Sequence, residues 1–117
     1  MNNDLDIPIF KKSYDLYKTF YESRLDVSKQ DRYTIWQRCE NSILDVLEAI
    51  LLASQTSKVE KLPVLENASV KLNILRVLIR LTKDLKAIDA RKYLELETDI
   101  DEIGRMLGGW IRSTKER

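Results

Sequence analysis

Apolar side chains recur along this chain at the three- and four-residue steps that bring them to one face of a helix. Leu65, Ala68, Leu72, Leu75, Ile79 and Thr82 keep a strict 3-4-3-4-3 order, and Tyr93, Leu96, Ile100, Ile103, Leu107 and Trp110 repeat it. That order is the seam of a helix bundle. Upstream, Trp36, Cys39, Ile43, Val46 or Leu47, and Ile50 mark the buried face of another helix. Phe10, Tyr14, Tyr17 and Tyr21 step by four, three and four, which predicts a first helix with an aromatic face packed in the core.

The breaks agree with the periodicity. Ile9 to Arg24 reads as the first helix, with Pro8 suited to its first turn. Residues 26–31 interrupt the pattern and offer Ser28 or Asp31 as an N-cap for the second helix. Ser54-Gln-Thr-Ser57 is polar, Leu62-Pro63 restarts the chain, and Asp89 suits the N-cap of the fourth helix. Four amphipathic helices with short connections predict an all-α, antiparallel up-down four-helix bundle. Residues 1–117 read as a single domain.

Composition narrows the chemistry. Only 3 glycines and 2 prolines are present in 117 residues, against a turn-rich β fold. There is no histidine, which removes the commonest general base and the commonest neutral metal ligand. The acidic run Glu95, Glu97, Asp99, Asp101, Glu102 reads as a solvated face, so no metal site is expected. Neither catalytic residues nor a cofactor are expected, and the chain reads as non-enzymatic. The lone Cys39 cannot form an internal disulfide and reads as a small core residue in a reducing compartment. The start, Met-Asn-Asn-Asp-Leu-Asp, lacks the basic and apolar regions of a signal peptide, and no apolar stretch is long enough for a membrane span. A cytoplasmic protein with no membrane partner is expected.

Two features exceed what a monomer needs. The third helix places Val70, Leu72, Ile74, Leu75, Val77, Leu78, Ile79, Leu81 and Leu85 over an arc of roughly 220°, whereas a core-facing stripe needs about 100°. Either the helix is sunk among the other three, or its surplus face meets another subunit, closed homo-oligomers being the common outcome. The second feature is charge. The formal net charge is +1, yet residues 71–86 hold five bases against one acid, and residues 105–117 hold four against one. Arg76, Arg80 and Lys83 fall within about 60° on the third helix. Arg105 and Arg112 align on the fourth, with Gly109 between them and Lys115 and Arg117 following. Two such stripes on adjacent helices can merge into a patch for phosphate chains; the same cations could instead serve helix dipoles and ion pairs. Glycine inside a helix costs about 1 kcal/mol against alanine. Gly104 and Gly108 suggest close helix packing; at Gly109 the absent side chain could let a ligand or subunit approach, but packing is the stronger reading there too.

Leu75-Arg-Val-Leu-Ile-Arg-Leu81 and Asp101-Glu-Ile-Gly-Arg-Met-Leu-Gly-Gly-Trp110 resemble the accessory variability proteins (Avd) of diversity-generating retroelements. Ile7-Pro-Ile-Phe-Lys-Lys12 and Arg32-Tyr-Thr-Ile-Trp-Gln-Arg38 extend the resemblance over nearly the whole chain. That four-helix-bundle family also includes proteins encoded in intervening sequences of bacterial 23S ribosomal RNA genes. The resemblance implies a homopentameric, non-catalytic accessory subunit. Such a subunit binds RNA or DNA and a reverse transcriptase during mutagenic complementary-DNA synthesis. It implies that Arg76, Arg80, Arg105 and Arg112 occupy the family's basic positions, and Lys83 joins them as part of the same stripe. The competing reading is a protein–protein interaction module of the ribosomal intervening-sequence type, whose arginines make ion pairs between subunits.

Overall fold

A computed structural model describes residues 7–116. Pro8 opens α1 (Pro8–Glu22) at a position where a backbone N–H would have had no helical partner. The helix stops at Glu22, short of the expected Arg24, and a 3-10 turn over Ser23–Asp26 bends the chain. Ser28 does act as a cap, but of the one-turn helix α2 (Lys29–Arg32), its hydroxyl accepting from the Asp31 N–H at 3.1 Å. After a break at Tyr33 and Thr34, α3 runs Ile35–Ser54, so the expected second helix is split in two. The helices α4 (Lys61–Asp84) and α5 (Ala90–Lys115) complete the chain, Pro63 lying in the first turn of α4. Asp89 caps α5, its carboxylate accepting from the Lys92 N–H at 2.7 Å.

Four long helices and no described strand make the fold all-α. Packing follows a closed order in which α1 and α4 each lie between α3 and α5. Short connections and this order are compatible with an up-down bundle. The pairing of residues carries the same sense. Phe20 stacks on Trp36 with ring centroids 4.6 Å apart, Tyr17 Oη donates to Glu40 at 2.8 Å, and Cys39 Sγ lies 3.0 Å from the Thr82 hydroxyl. Lys61 sits over the Trp110 ring and Lys83 over the Tyr93 ring, opposite ends of both α4 and α5.

The seam read from α4 is buried at all six positions, and in α5 Leu96, Ile100, Ile103 and Leu107 are buried while Tyr93 and Trp110 flank the core. The predicted α3 face is buried at Trp36, Cys39, Ile43, Val46 and Ile50. Helix α1 corrects the sequence reading. Its core face is Ile9, Ser13, Leu16 and Phe20, while Tyr14 and Tyr21 remain 41% and 43% exposed. The aromatic stripe lies about a quarter-turn from the true core stripe. Ser13 could join that stripe because its hydroxyl donates to the Ile9 carbonyl at 2.8 Å, which satisfies it without solvent.

Burial pushes the Cys39 thiol up, against a smaller opposing effect of the Thr82 hydrogen bond, in keeping with a core role. Among the described residues no helix is long and apolar enough to cross a membrane. The N-terminal residues read for a leader, and Arg117, lie outside the described residues.

Candidate nucleic-acid interface

Helix α4 turns its seam inward and so presents Arg76, Arg80 and Lys83 on the flank beside α5. They are not equivalent. Arg76 is half-buried and pairs with Asp101 of α5. Its guanidinium lies where a Cβ on residue 104 would come within 3.2 Å of Nη2, so Gly104 makes room for it. Leu72 of α4 is 3.6 Å from the same point. The close-packing expectation for Gly104 therefore holds, with an arginine as the close neighbour. With both side chains still partly exposed, the pair contributes on the order of 0.2–1 kcal/mol.

Arg80 is exposed and has no carboxylate within 4.0 Å among the described residues. It lies near enough to Tyr93 for its charge to oppose the upward shift of that phenol, which is set first by the 2.6 Å hydrogen bond to Glu97 and then by burial. Lys83 is 3.7 Å from Asp84 and 4.6 Å from the Tyr93 ring centroid. The flank thus carries one tethered cation, one open cation and one held over an aromatic ring.

On α5, Arg105 and Arg112 stand seven residues apart on the face opposite the core, about 20° apart in projection. The Arg105 side chain is 76% exposed, and among the described residues its only close acid is Glu102 at 3.8 Å. Arg112 has no ion-pair partner among the described residues; its guanidinium folds back to 3.8 Å from where side chains on Gly108 and Gly109 would begin. No other helix approaches either glycine that closely, which corrects the packing expectation for Gly108 and Gly109. The α4 and α5 cations stand on either side of the α4–α5 seam, with Asp101 between them. The acidic run is largely engaged: Asp99 and Glu102 lie 3.4 and 3.6 Å from Lys12 of α1, Asp101 meets Arg76, and Glu97 accepts from Tyr93.

A family model described as bAvd-like matches residues 8–114. The chain belongs to the bAvd-like family. No curated protein matches it. The matched span takes in α1 through nearly all of α5, and with them the five basic residues singled out from the sequence.

Two features of this bAvd-like chain are clear only from the structure. Val70, Ile74, Val77 and Leu81 form an exposed apolar ridge along α4 on the side away from the core, Val77 being 67% exposed. The surplus apolar face is therefore on the outside and is not sunk among the other helices. The other feature lies at the end of the basic flank. Beyond Lys83 the chain turns through Lys86 into α5, and Lys86, Arg91 and Lys92 are three more cations in a concavity of about 860 Å³. Periodicity could not bring these together, because Lys86 belongs to a turn and Arg91 to the next helix.

Proposed function

We propose that this protein is a non-enzymatic accessory subunit of a diversity-generating retroelement. In this reading it is a single-domain up-down bundle that works in the cytoplasm as a homopentamer. It holds RNA or complementary DNA for the element's reverse transcriptase during mutagenic retrohoming. The bAvd-like match over residues 8–114 carries the reading. The basic groups of α4 and α5 support it chemically: Arg80, Arg105 and Arg112 are open to phosphate, and Arg76 and Lys83 share the α4 flank with Arg80. Such contacts hold a phosphate chain without reading sequence. The α4 ridge supplies the subunit contact, since an exposed apolar stripe at helical spacing gains most by facing another protein surface.

A second reading has its own observation. The Arg76–Asp101 pair and the α4 ridge both suit a bundle that binds only protein. Salt separates the two. Fluorescence anisotropy with a labelled structured RNA should show affinity falling steeply and log-linearly with salt, as counterions are released. Arg80→Glu with Arg112→Glu should weaken binding and flatten that slope. Absence of RNA binding at low salt, with assembly intact, would favour the protein-only module.

A further inference from the structure

At one end of the bundle the 3-10 turn after α1 and the α4–α5 connection enclose an open cavity of about 860 Å³. Its floor is apolar, from Val27, Ala87 and Ile88, and its rim carries Lys83, Lys86, Arg91 and Lys92. Three acids also line it, and two of them are bonded to Lys92. Asp89 accepts from the Lys92 N–H, and Glu95 accepts from Lys92 Nζ at 3.0 Å. Among the described residues Lys86 and Arg91 have no carboxylate within 4.0 Å, and the lining as a whole holds four cations against three acids.

Lys86 is placed there against its own conformational preference. It has φ 62°, and it is the chain's one non-glycine residue with positive φ among those described. Around it α4 ends in paired bonds: the Lys86 N–H donates to the Lys83 carbonyl at 2.8 Å and the Ala87 N–H to the Thr82 carbonyl at 3.0 Å. That helix-ending motif ordinarily places glycine at the left-handed position. A lysine here sacrifices stability and puts an ammonium at the cavity mouth. An outlier of this kind points to function.

Lys83 belongs both to the α4 basic flank and to the cavity, so the flank runs into it. We infer that the cavity takes the terminal phosphomonoester of a nucleic-acid strand whose body lies along the Arg76–Arg80–Lys83 flank. This inference rests on the nucleic-acid reading above. Inside a strand each phosphate carries one negative charge, whereas a terminal monoester carries about 1.5 to 2 at neutral pH. A pocket with surplus cations therefore favours the end over the middle. The volume suits one nucleotide, within the several-hundred-Å³ range of small-ligand sites.

The test compares the affinities of one oligouridylate ended by 5′-phosphate, 3′-phosphate or hydroxyl, each labelled at the opposite end. One phosphate-ended form should bind roughly five- to tenfold more tightly than the hydroxyl form, the scale of one added charge-assisted contact. Lys86→Gly with Arg91→Gln should erase that difference, so that all three forms bind alike. Lys86→Gly also relieves the left-handed strain, so a melting temperature no lower than wild type will show that the loss is not unfolding. Equal affinity for all three ends, or a preference that survives in the variant, would overturn the inference and leave the nucleic-acid reading standing. Free uridine 5′-monophosphate binding as tightly as the phosphorylated strand would overturn it in favour of a small-molecule site. Failure of every oligonucleotide to bind would overturn both.

Discussion

Replacing Gly108 or Gly109 by alanine should stabilise this protein. Both lie inside α5 with no positive φ, so alanine fits the backbone, and the nearest atom a new Cβ would meet is the Arg112 guanidinium at 3.8 Å. Alanine narrows the unfolded ensemble and improves helix propensity, together about 0.5–1 kcal/mol per site. For a domain near this size that corresponds to roughly 2–5 °C in melting temperature. Gly104 is the internal control. There the new Cβ would come 3.2 Å from Arg76 Nη2, and displacing that flexible tip forfeits part of the Arg76–Asp101 pair. Its gain and loss nearly cancel, leaving stability within a few tenths of a kcal/mol. Thermal and urea melts at fixed protein concentration read all three. If Gly108→Ala or Gly109→Ala lowered stability by about 1 kcal/mol or more, the view that these glycines are open within the monomer would be refuted. Stabilised variants that assemble or bind RNA less well would assign the glycines to contacts outside the monomer.

Val77→Lys on the exposed α4 ridge should raise the subunit dissociation constant at least about tenfold while leaving far-ultraviolet dichroism unchanged, because burying a Val normally yields about 1.5–3 kcal/mol. An unaltered sedimentation profile would remove the ridge from the subunit contact. Leu75→Ala, in the dry core, should cost about 2–5 kcal/mol in urea unfolding. Above pH 10 the half-buried Tyr17 should reduce stability. Burial and its bond to Glu40 push its phenol up to about 12, so the unfolded chain loses this proton first. The contribution is complete below pH 10 and is lost as pH rises through about 12. Tyr17→Phe should flatten that alkaline decline, and an identical decline in the variant would contradict the assignment.

The sequence made the bundle legible where burial demands an unbroken period. Leu65 through Thr82 and Leu96 through Leu107 are read without error because any slip would put a polar residue in the core. Helix α1 misled because its aromatic stripe has a clean helical spacing, whereas the real core stripe includes Ser13, whose burial depends on a backbone bond no pattern reveals. The break at Tyr33–Thr34 was hidden because Ser28 is an effective cap for a helix only one turn long. The basic positions were visible as stripes. Their differences were not: that Arg76 is tethered by Asp101 and Arg80 is open depends on how α4 and α5 meet. The cluster of Lys86, Arg91 and Lys92 depends on a turn whose left-handed residue is a lysine, which no turn signal marks.

The most direct test is multi-angle light scattering on the purified protein, with and without a structured RNA, at low and moderate salt. The account predicts a particle of pentamer mass that gains RNA mass at low salt and sheds it as salt rises. A particle of monomer mass that ignores RNA at every salt concentration would contradict both the assembly and the basic interface.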